Sequence, residues 1–373
     1  MSLIRISKYE VISACAGIAS GVFIVRILGL EARAYLAEIQ AISTISMSIA
    51  MMGVQHQIGK DVKKINTHTY YILAALGVLL VYATQIMDMN NVSDESLIHI
   101  AALYCFGMII ISFSQMRIIV TGESKKYLYL QILPSIVIVM GTLVHINIPL
   151  FGYEEIIVMS VLCQIILAIN YITRFENKRY ISLFQDIDVV RNSIKYMPYN
   201  FLSAIPISAS ILLITDLESK GIFAILMSAN QLTIKIPRIL MQYTLGNEAK
   251  KNEEKKLLLI ATFLNITILV VGLVLLPIVY KIEQGKIIIP YVLLITSSFL
   301  LPYLAKNEAR LIKFDKLIDL YLIKITVIIA FFAMYLVNKS DYSELTYICL
   351  CLAITRVINL VINCIYEKKI KRD

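Results

Sequence analysis

The chain has 373 residues, 58% of them hydrophobic and 16% charged, with 35 Lys and Arg against 26 Asp and Glu for a net charge of +9. A soluble domain carries about 25% charged residues, and the mean hydropathy here is +0.76, which excludes a water-soluble globular protein. In a soluble chain the basic excess would suit nucleic acid; here it is distributed by loop, and nucleic acid is excluded as a partner.

Apolar blocks of about 16–24 residues follow one another with short polar gaps, and most are long enough to cross a hydrocarbon core of about 30 Å as a helix. In chain order the expected spans are Val11–Leu28, Ala34–Val54, Thr69–Met87, Leu97–Val120, Leu128–Leu150, Ile156–Thr173, Asn200–Thr215, Gly221–Thr244, Leu257–Tyr280, Ile287–Leu304, Leu320–Val337 and Leu345–Tyr366. The first block resembles a leader but lacks a small-x-small exit, so it is expected to be a retained span. Its Gly17 and Gly21, four apart, suit close helix packing. Pro206 is expected to kink the seventh span. The six cysteines lie inside apolar blocks with no CxxC pair and no Cys/His cluster, so neither a metal site nor a disulfide framework is expected.

Lys and Arg orient the spans, because cytoplasmic loops retain them. With the N-terminus inside, 24 of the 35 fall in cytoplasmic segments, and only Arg33, Lys220, Lys281, Lys286 and Lys339 fall in outer loops. Twelve crossings with both termini cytoplasmic keep that alternation intact to the end of the chain.

The chain also repeats itself. LEARAYLA (Leu30–Ala37) and LESKGIFA (Leu217–Ala224) share Leu, Glu and the final Ala, and keep a basic residue at Arg33 and Lys220. Each sits at the outer turn between the first and second spans of a six-span half. Two parallel six-helix bundles, 1–185 and 186–373, are therefore expected in an all-α integral membrane fold. In that plan substrate lies between bundles that rock to expose it to alternate sides.

RILGLEARAYLAEIQAIS (Arg26–Ser43) resembles a segment of polysaccharide flippases in the multidrug/oligosaccharidyl-lipid/polysaccharide exporter (MOP) superfamily, which reads L-G-x-x-x-R-G-x-x-A. Leu28, Gly29, Arg33 and Ala37 match, and Ala34 departs from the family's Gly. DLESKGIFAILMSANQL (Asp216–Leu232) and SQMRIIVTGESKKYLYLQIL (Ser114–Leu133) are similar to two further connections of that family. The resemblance implies a flippase of the O-antigen repeat-unit (Wzx) type in the bacterial inner membrane. Its cargo would be an undecaprenyl-diphosphate-linked glycan. Polysaccharide polymerase or assembly proteins are further partners it suggests, and Na+ or H+ is left open as the coupling ion, with no cofactor expected.

Charged groups in a bilayer are costly and face an interior or water. The cations inside expected spans are Arg26, Arg117, Lys235, Arg238, Lys324 and Arg356, against one comparable acid, Glu38. Gln231, Lys235, Arg238 and Gln242 recur at i, i+4, i+7 and i+11 on one helical face. They would line a path for a diphosphate, or else the two cations snorkel to headgroups. Arg356, Asn359 and Asn363 make a second stripe, with Arg356 too deep to snorkel; a cavity role competes with a structural ion pair or capped carbonyls. For Arg26, Arg117 and Lys324, nearer span ends, the headgroup role weighs at least as much. Glu38 and Asp216 are the candidate coupling acids, although Asp216 also fits a turn. His99 and His145 lie near outer span ends, where a coupling role is a minor alternative.

No catalytic triad, paired carboxylates, metal signature or phosphate loop appears, and the longest expected outer loop runs only from Asp88 to Ser96. A polytopic glycan polymerase or acyltransferase is therefore disfavoured. A drug/cation antiporter of the same superfamily is the other rival, but it should carry intramembrane acids rather than cations.

Overall fold

A computed structural model describes residues 3–54, 67–86, 95–121, 124–148, 152–176, 183–246, 251–337 and 343–370. Every regular element among them is helical. The first two expected spans form α1 (Leu3–Ala50), interrupted at Gly29, whose φ of 94° and ψ of 175° lie outside the helix. Only glycine takes that backbone at low cost, so an apolar run turns there without a polar loop. Then follow α2 (Thr67–Ile86), α3 (Glu95–Thr121), α4 (Ser124–Asn147) and α5 (Tyr153–Glu176) at the next four expected spans. The stretch across the expected boundary between 185 and 186 contains α6 (Leu183–Ser193) and a 3-10 turn, Ile194–Tyr196. After it come α7 (Met197–Leu213), α8 (Leu217–Gly246) and α9 (Lys251–Tyr280).

The tenth expected span departs from a single helix. It is broken into α10 (Gln284–Ser298) and α11 (Leu301–Lys313). Pro302 has no N–H with which to reach the Ser298 carbonyl four residues back. That carbonyl instead accepts from Asn265 Nδ2 of α9 at 3.3 Å. The backbone tightens around the break: Phe299 N–H donates to the Thr296 carbonyl and Leu300 N–H to the Ser297 carbonyl, both at 3.2 Å. Lys306, Arg310 and Lys313, expected in a cytoplasmic loop, lie on α11. The last two helices are α12 (Leu317–Val337) and α13 (Glu344–Ile370). Among the described residues, eight helical segments are long and apolar enough to cross a membrane, and His68–Thr84 is a shorter apolar helix.

By contacts the chain divides into two compact units, Met1–Leu212 and Leu213–Asp373. The first has one apolar core drawn from α1 to α5, with Ile39, Met51, Tyr70 and Phe113 fully buried. Val189 of α6 is part of that core and Leu212 of α7 packs against it, which puts both helices in this unit. In the second unit α8 packs on α9, α10 and α11, while α13 packs on α10, α11 and α12.

One corner of the first unit admits a sharp test. The chain leaves α1 through Met52 and Gly53, at φ 45° and 73°. A Cβ on Gly53 would collide with the Ser193 carbonyl and come within 2.7 Å of Tyr196 Cβ and 3.0 Å of Met197 N. Gly53→Ala is expected to cost about 1–2 kcal/mol from the left-handed backbone alone, with a further cost as the turn before α7 is pushed away. Thermal unfolding in detergent reads it; an unchanged midpoint would mean that this corner is not packed as described.

The repeated octapeptides occupy equivalent places. Each begins a helical run immediately after a break, at Gly29 in one case and after Thr215–Asp216 in the other. Glu31 and Glu218 are exposed, and the last five residues of each octapeptide are buried. Arg33 and Lys220, expected in exposed outer loops, are therefore buried at 7% and 6% exposure. The corner is only a residue or two long in each copy, so the helix is already turning its fourth residue inward.

Candidate functional site

A buried polar cluster lies in the second unit, at the α10–α11 break. Arg356, in the middle of α13, is 9% exposed. Its Nη1 donates to the Leu294 carbonyl at 3.0 Å and to the Ser297 and Ser298 hydroxyls, each at 2.8 Å. The acceptors sit where they do because α10 ends there. The helix's last carbonyls and its negative dipole end attract a cation, and two serines at the terminus reach inward. Both hydroxyls accept from Arg356, so their own protons need acceptors. Ser297 finds the Leu294 carbonyl at 2.8 Å. Ser298 lies 2.8 Å from the same carbonyl and 2.6 Å from Asn230 Oδ1.

Asn230 belongs to α8 and is fully buried. Its Oδ1 also lies 2.6 Å from Thr233 Oγ1, so hydroxyls hold the oxygen end of the amide. The other end, Nδ2, is buried with no hydrogen-bond partner. On α13, Asn359 and Asn363 continue the stripe from Arg356 and are also buried. Asn363 Nδ2 donates to Asn359 Oδ1 at 2.7 Å and to its carbonyl at 2.9 Å. Thus Arg356, Asn359 and Asn363 do share one inward face, as their spacing predicts.

The charge balance is lopsided. Arg33, Lys220, Lys324, Arg356 and Glu308 are the buried charged residues among those described, four cations to one acid. Glu308 of α11, 6% exposed, pairs with Lys324 of α12 at 2.5 Å. No described carboxylate pairs with Arg356; its described acceptors are all neutral.

The remaining expected residues fall elsewhere. Lys324 is buried in that ion pair rather than reaching headgroups. Arg26 is exposed and Glu38 half-buried. The side chains of Gln231, Lys235, Arg238, Gln242 and Arg117 lie outside the described residues. From α8 the structure brings Asn230 to Ser298, which accepts from Arg356, one position ahead of the expected stripe. Asn230, Ser297, Ser298 and Glu308 are absent from the sequence reading. The signal for the serines was Ser-Ser followed by Pro302 within an apolar block, a discontinuous span of the kind that exposes backbone and hydroxyl groups at transporter sites.

Asp216 caps α8. Its Oδ2 accepts from Ser219 N–H at 2.8 Å, and its carbonyl accepts from Lys220 N–H at 2.9 Å. Hydrogen bonds from Ser219 hold the carboxyl below the usual carboxylate range. A depressed folded value means that the stabilisation is complete above the unfolded pKa and is lost as pH falls through the folded one. Asp216→Ala is expected to cost about 0.5 kcal/mol, the low end for a cap because the site is exposed. Asp216→Asn should keep most of the cap and flatten the loss of melting temperature between neutral pH and about pH 3. An Asp216→Asn protein with the wild-type acid dependence would rule the cap out as its source.

Apolar helices long enough to cross a membrane, one of them broken beside a buried cation, give the chain the architecture of a multi-pass membrane protein. Solved structures share this fold. A MATE protein in complex with MaL6 superposes at a TM-score of 0.69 with 11% identity, over 100% of this chain and 97% of that one. A MOP superfamily transporter from Pyrococcus furiosus Vc1 (DSM3638), described as having a binding pocket of reverse polarity, gives 0.67 and 13% identity over 99% and 96%. The lipid II flippase MurJ, in an inward closed conformation, gives 0.66 and 12% over 98% and 88%. The chain has the fold of MOP superfamily transporters. No protein-family model matches it, and no curated protein matches it in sequence.

Proposed function

We propose that the protein is a lipid-linked glycan flippase. It moves an undecaprenyl-diphosphate-linked oligosaccharide, an O-antigen or similar surface-polysaccharide repeat unit, across a bacterial inner membrane by alternating access. Twelve crossings in two six-helix lobes with both termini inside, and no enzymatic step, belong to the same proposal. The observation that carries it is Arg356, a buried guanidinium with no carboxylate among the described residues. Such a group suits an anionic cargo, because a guanidinium forks to phosphate oxygens. The flippase among the fold's neighbours adds support by analogy. A drug/cation antiporter needs an acid available to a cation, and the one acid buried among the described residues, Glu308, is held by Lys324. Glu38 is the coupling candidate that remains, since Asp216 is engaged as a cap.

The test uses purified protein in sealed liposomes containing an undecaprenyl-diphosphate oligosaccharide. An impermeant glycan-modifying enzyme outside reports how much of the inward-facing pool becomes accessible. The fraction should rise above that in protein-free vesicles. No rise with folded protein, together with dye efflux driven by a cation gradient, would transfer support to the antiporter.

A further inference from the structure

The outward side of α11 carries a pattern in which the Glu308–Lys324 pair has no part. Tyr303, Lys306, Arg310 and Lys313 recur at i, i+3, i+7 and i+10, which places them on one face of the helix. The opposite side, with Leu304, Ala305, Leu311 and Ile312, is buried. Glu308, the only acid of α11, lies on that buried side and is held by Lys324 at 2.5 Å, so the outward stripe carries three cations and no acid. Tyr303 and Lys313 are exposed, and Lys306 and Arg310 are half-buried. Past the helix end the pattern continues through the exposed Phe314, Lys316 and Ile318, with Asp315 and Asp319 as the acids of that turn. The apolar stretch long enough to cross a membrane, Gln284–Lys313, ends at this stripe. A face bathed only in water gains nothing by interleaving Tyr, Phe and Ile with its cations. The boundary between headgroups and acyl chains favours that mixture, with rings seated at headgroup level and cations against phosphate.

We propose that the α11 stripe and the turn after it dock an anionic phospholipid headgroup of the phosphatidylglycerol class. Charge complementarity selects it over a zwitterionic headgroup, whose own amine offsets its phosphate. The Arg310 guanidinium matches two phosphate oxygens as a fork, and Lys306 and Lys313, one turn to either side, add point charges. The start of α9 supplies the contrast. Lys255 and Lys256 are equally exposed, but Glu253 and Glu254 precede them and no aromatic residue lies in the adjoining turn. Docking on α11 bears on the rest of the second unit, because the helix starts shortly after Ser298, whose hydroxyl accepts from Arg356. The surface rests on the membrane-spanning fold and does not depend on the flippase proposal.

The experiment titrates the purified full-length chain in neutral detergent with phosphatidylglycerol and, separately, with phosphatidylcholine. Thermal unfolding gives the response, and native mass spectrometry counts the lipid retained. Phosphatidylglycerol should stabilise the wild type saturably and be retained, and phosphatidylcholine should do neither. Each Lys or Arg beside an anionic headgroup contributes about fivefold in affinity, so Lys313→Gln/Lys316→Gln should need about 25-fold more lipid. Lys255→Gln/Lys256→Gln removes the same charge from α9 and should respond as the wild type does. An equal response to the two lipids, an undiminished one in Lys313→Gln/Lys316→Gln, or an equal loss in the α9 variant overturns the surface and leaves the flippase proposal intact. If Lys313→Gln/Lys316→Gln does not fold, Phe314→Ser decides, since it keeps every charge. It should bind about tenfold more weakly through the loss of a ring partly withdrawn from water, and wild-type affinity there overturns the proposal. Inorganic phosphate should not displace the lipid; displacement would make this a phosphate site with no need of a membrane. Tighter binding of undecaprenyl diphosphate than of phosphatidylglycerol would assign the stripe to the cargo and likewise overturn it.

Discussion

Arg356→Gln is expected to reduce translocation of a diphosphate-linked glycan in sealed liposomes to the protein-free rate, with membrane insertion retained. Glutamine can still donate to one or two of the oxygens now served by Nη1, namely the Leu294 carbonyl and the Ser297 and Ser298 hydroxyls. Fold damage should therefore be modest, whereas alanine would strand buried acceptors at about 1–3 kcal/mol each. What glutamine removes is the charge. Arg356→Lys keeps the charge but loses the planar fork. Losing one charge-assisted hydrogen bond, about 1.5–3 kcal/mol, predicts translocation roughly 10- to 100-fold slower. The order wild type, lysine, glutamine is the signature of a group that meets an anion. Wild-type translocation by Arg356→Gln would leave Arg356 as a structural clamp on the end of α10.

The residues that announced the architecture were those whose effect is local. Long apolar blocks gave the helices, and Gly29 broke α1 where the first outer turn was expected. The octapeptides proved equivalent in burial down to Arg33 and Lys220, although their positions had suggested exposed loops. What escaped the sequence depended on partners. Periodicity picks out a face of α13 but cannot say that Arg356 meets Ser297 and Ser298, because that meeting is created by a break in a different helix. Pro302 signals the break only once one asks which carbonyl it leaves without a donor. Glu308 was hidden for a related reason: among Lys306, Arg310 and Lys313 it looks like part of a solvated loop, and only the continuation of the chain as α11 buries it beside Lys324. On α8 the apparent stripe lay one position away from Asn230, the residue whose amide reaches Ser298.

The Glu308–Lys324 pair offers the contrast that gives the Arg356 result its meaning. Both partners are buried and on adjacent helices, α11 and α12. Removing one partner takes this ion pair from a charge held in a low-dielectric interior, so Lys324→Met alone, or Glu308→Leu alone, is expected to cost about 3–5 kcal/mol. The double variant Glu308→Leu/Lys324→Met removes both charges of the pair and should recover most of that loss. The measured quantity is the non-additivity of the three unfolding free energies in detergent, which isolates the pair from the other contacts each residue makes. Single variants costing less than about 1 kcal/mol would mean that the pair behaves as a surface ion pair does. The double variant also separates the two kinds of buried charge. A pair neutralised within the protein has no charge left for cargo, so translocation by the double variant should stay near wild type while Arg356→Gln loses it. If instead the double variant folds but no longer translocates, charge at the α11–α12 contact takes part in the cycle, and Arg356 is no longer distinguished by lacking a carboxylate.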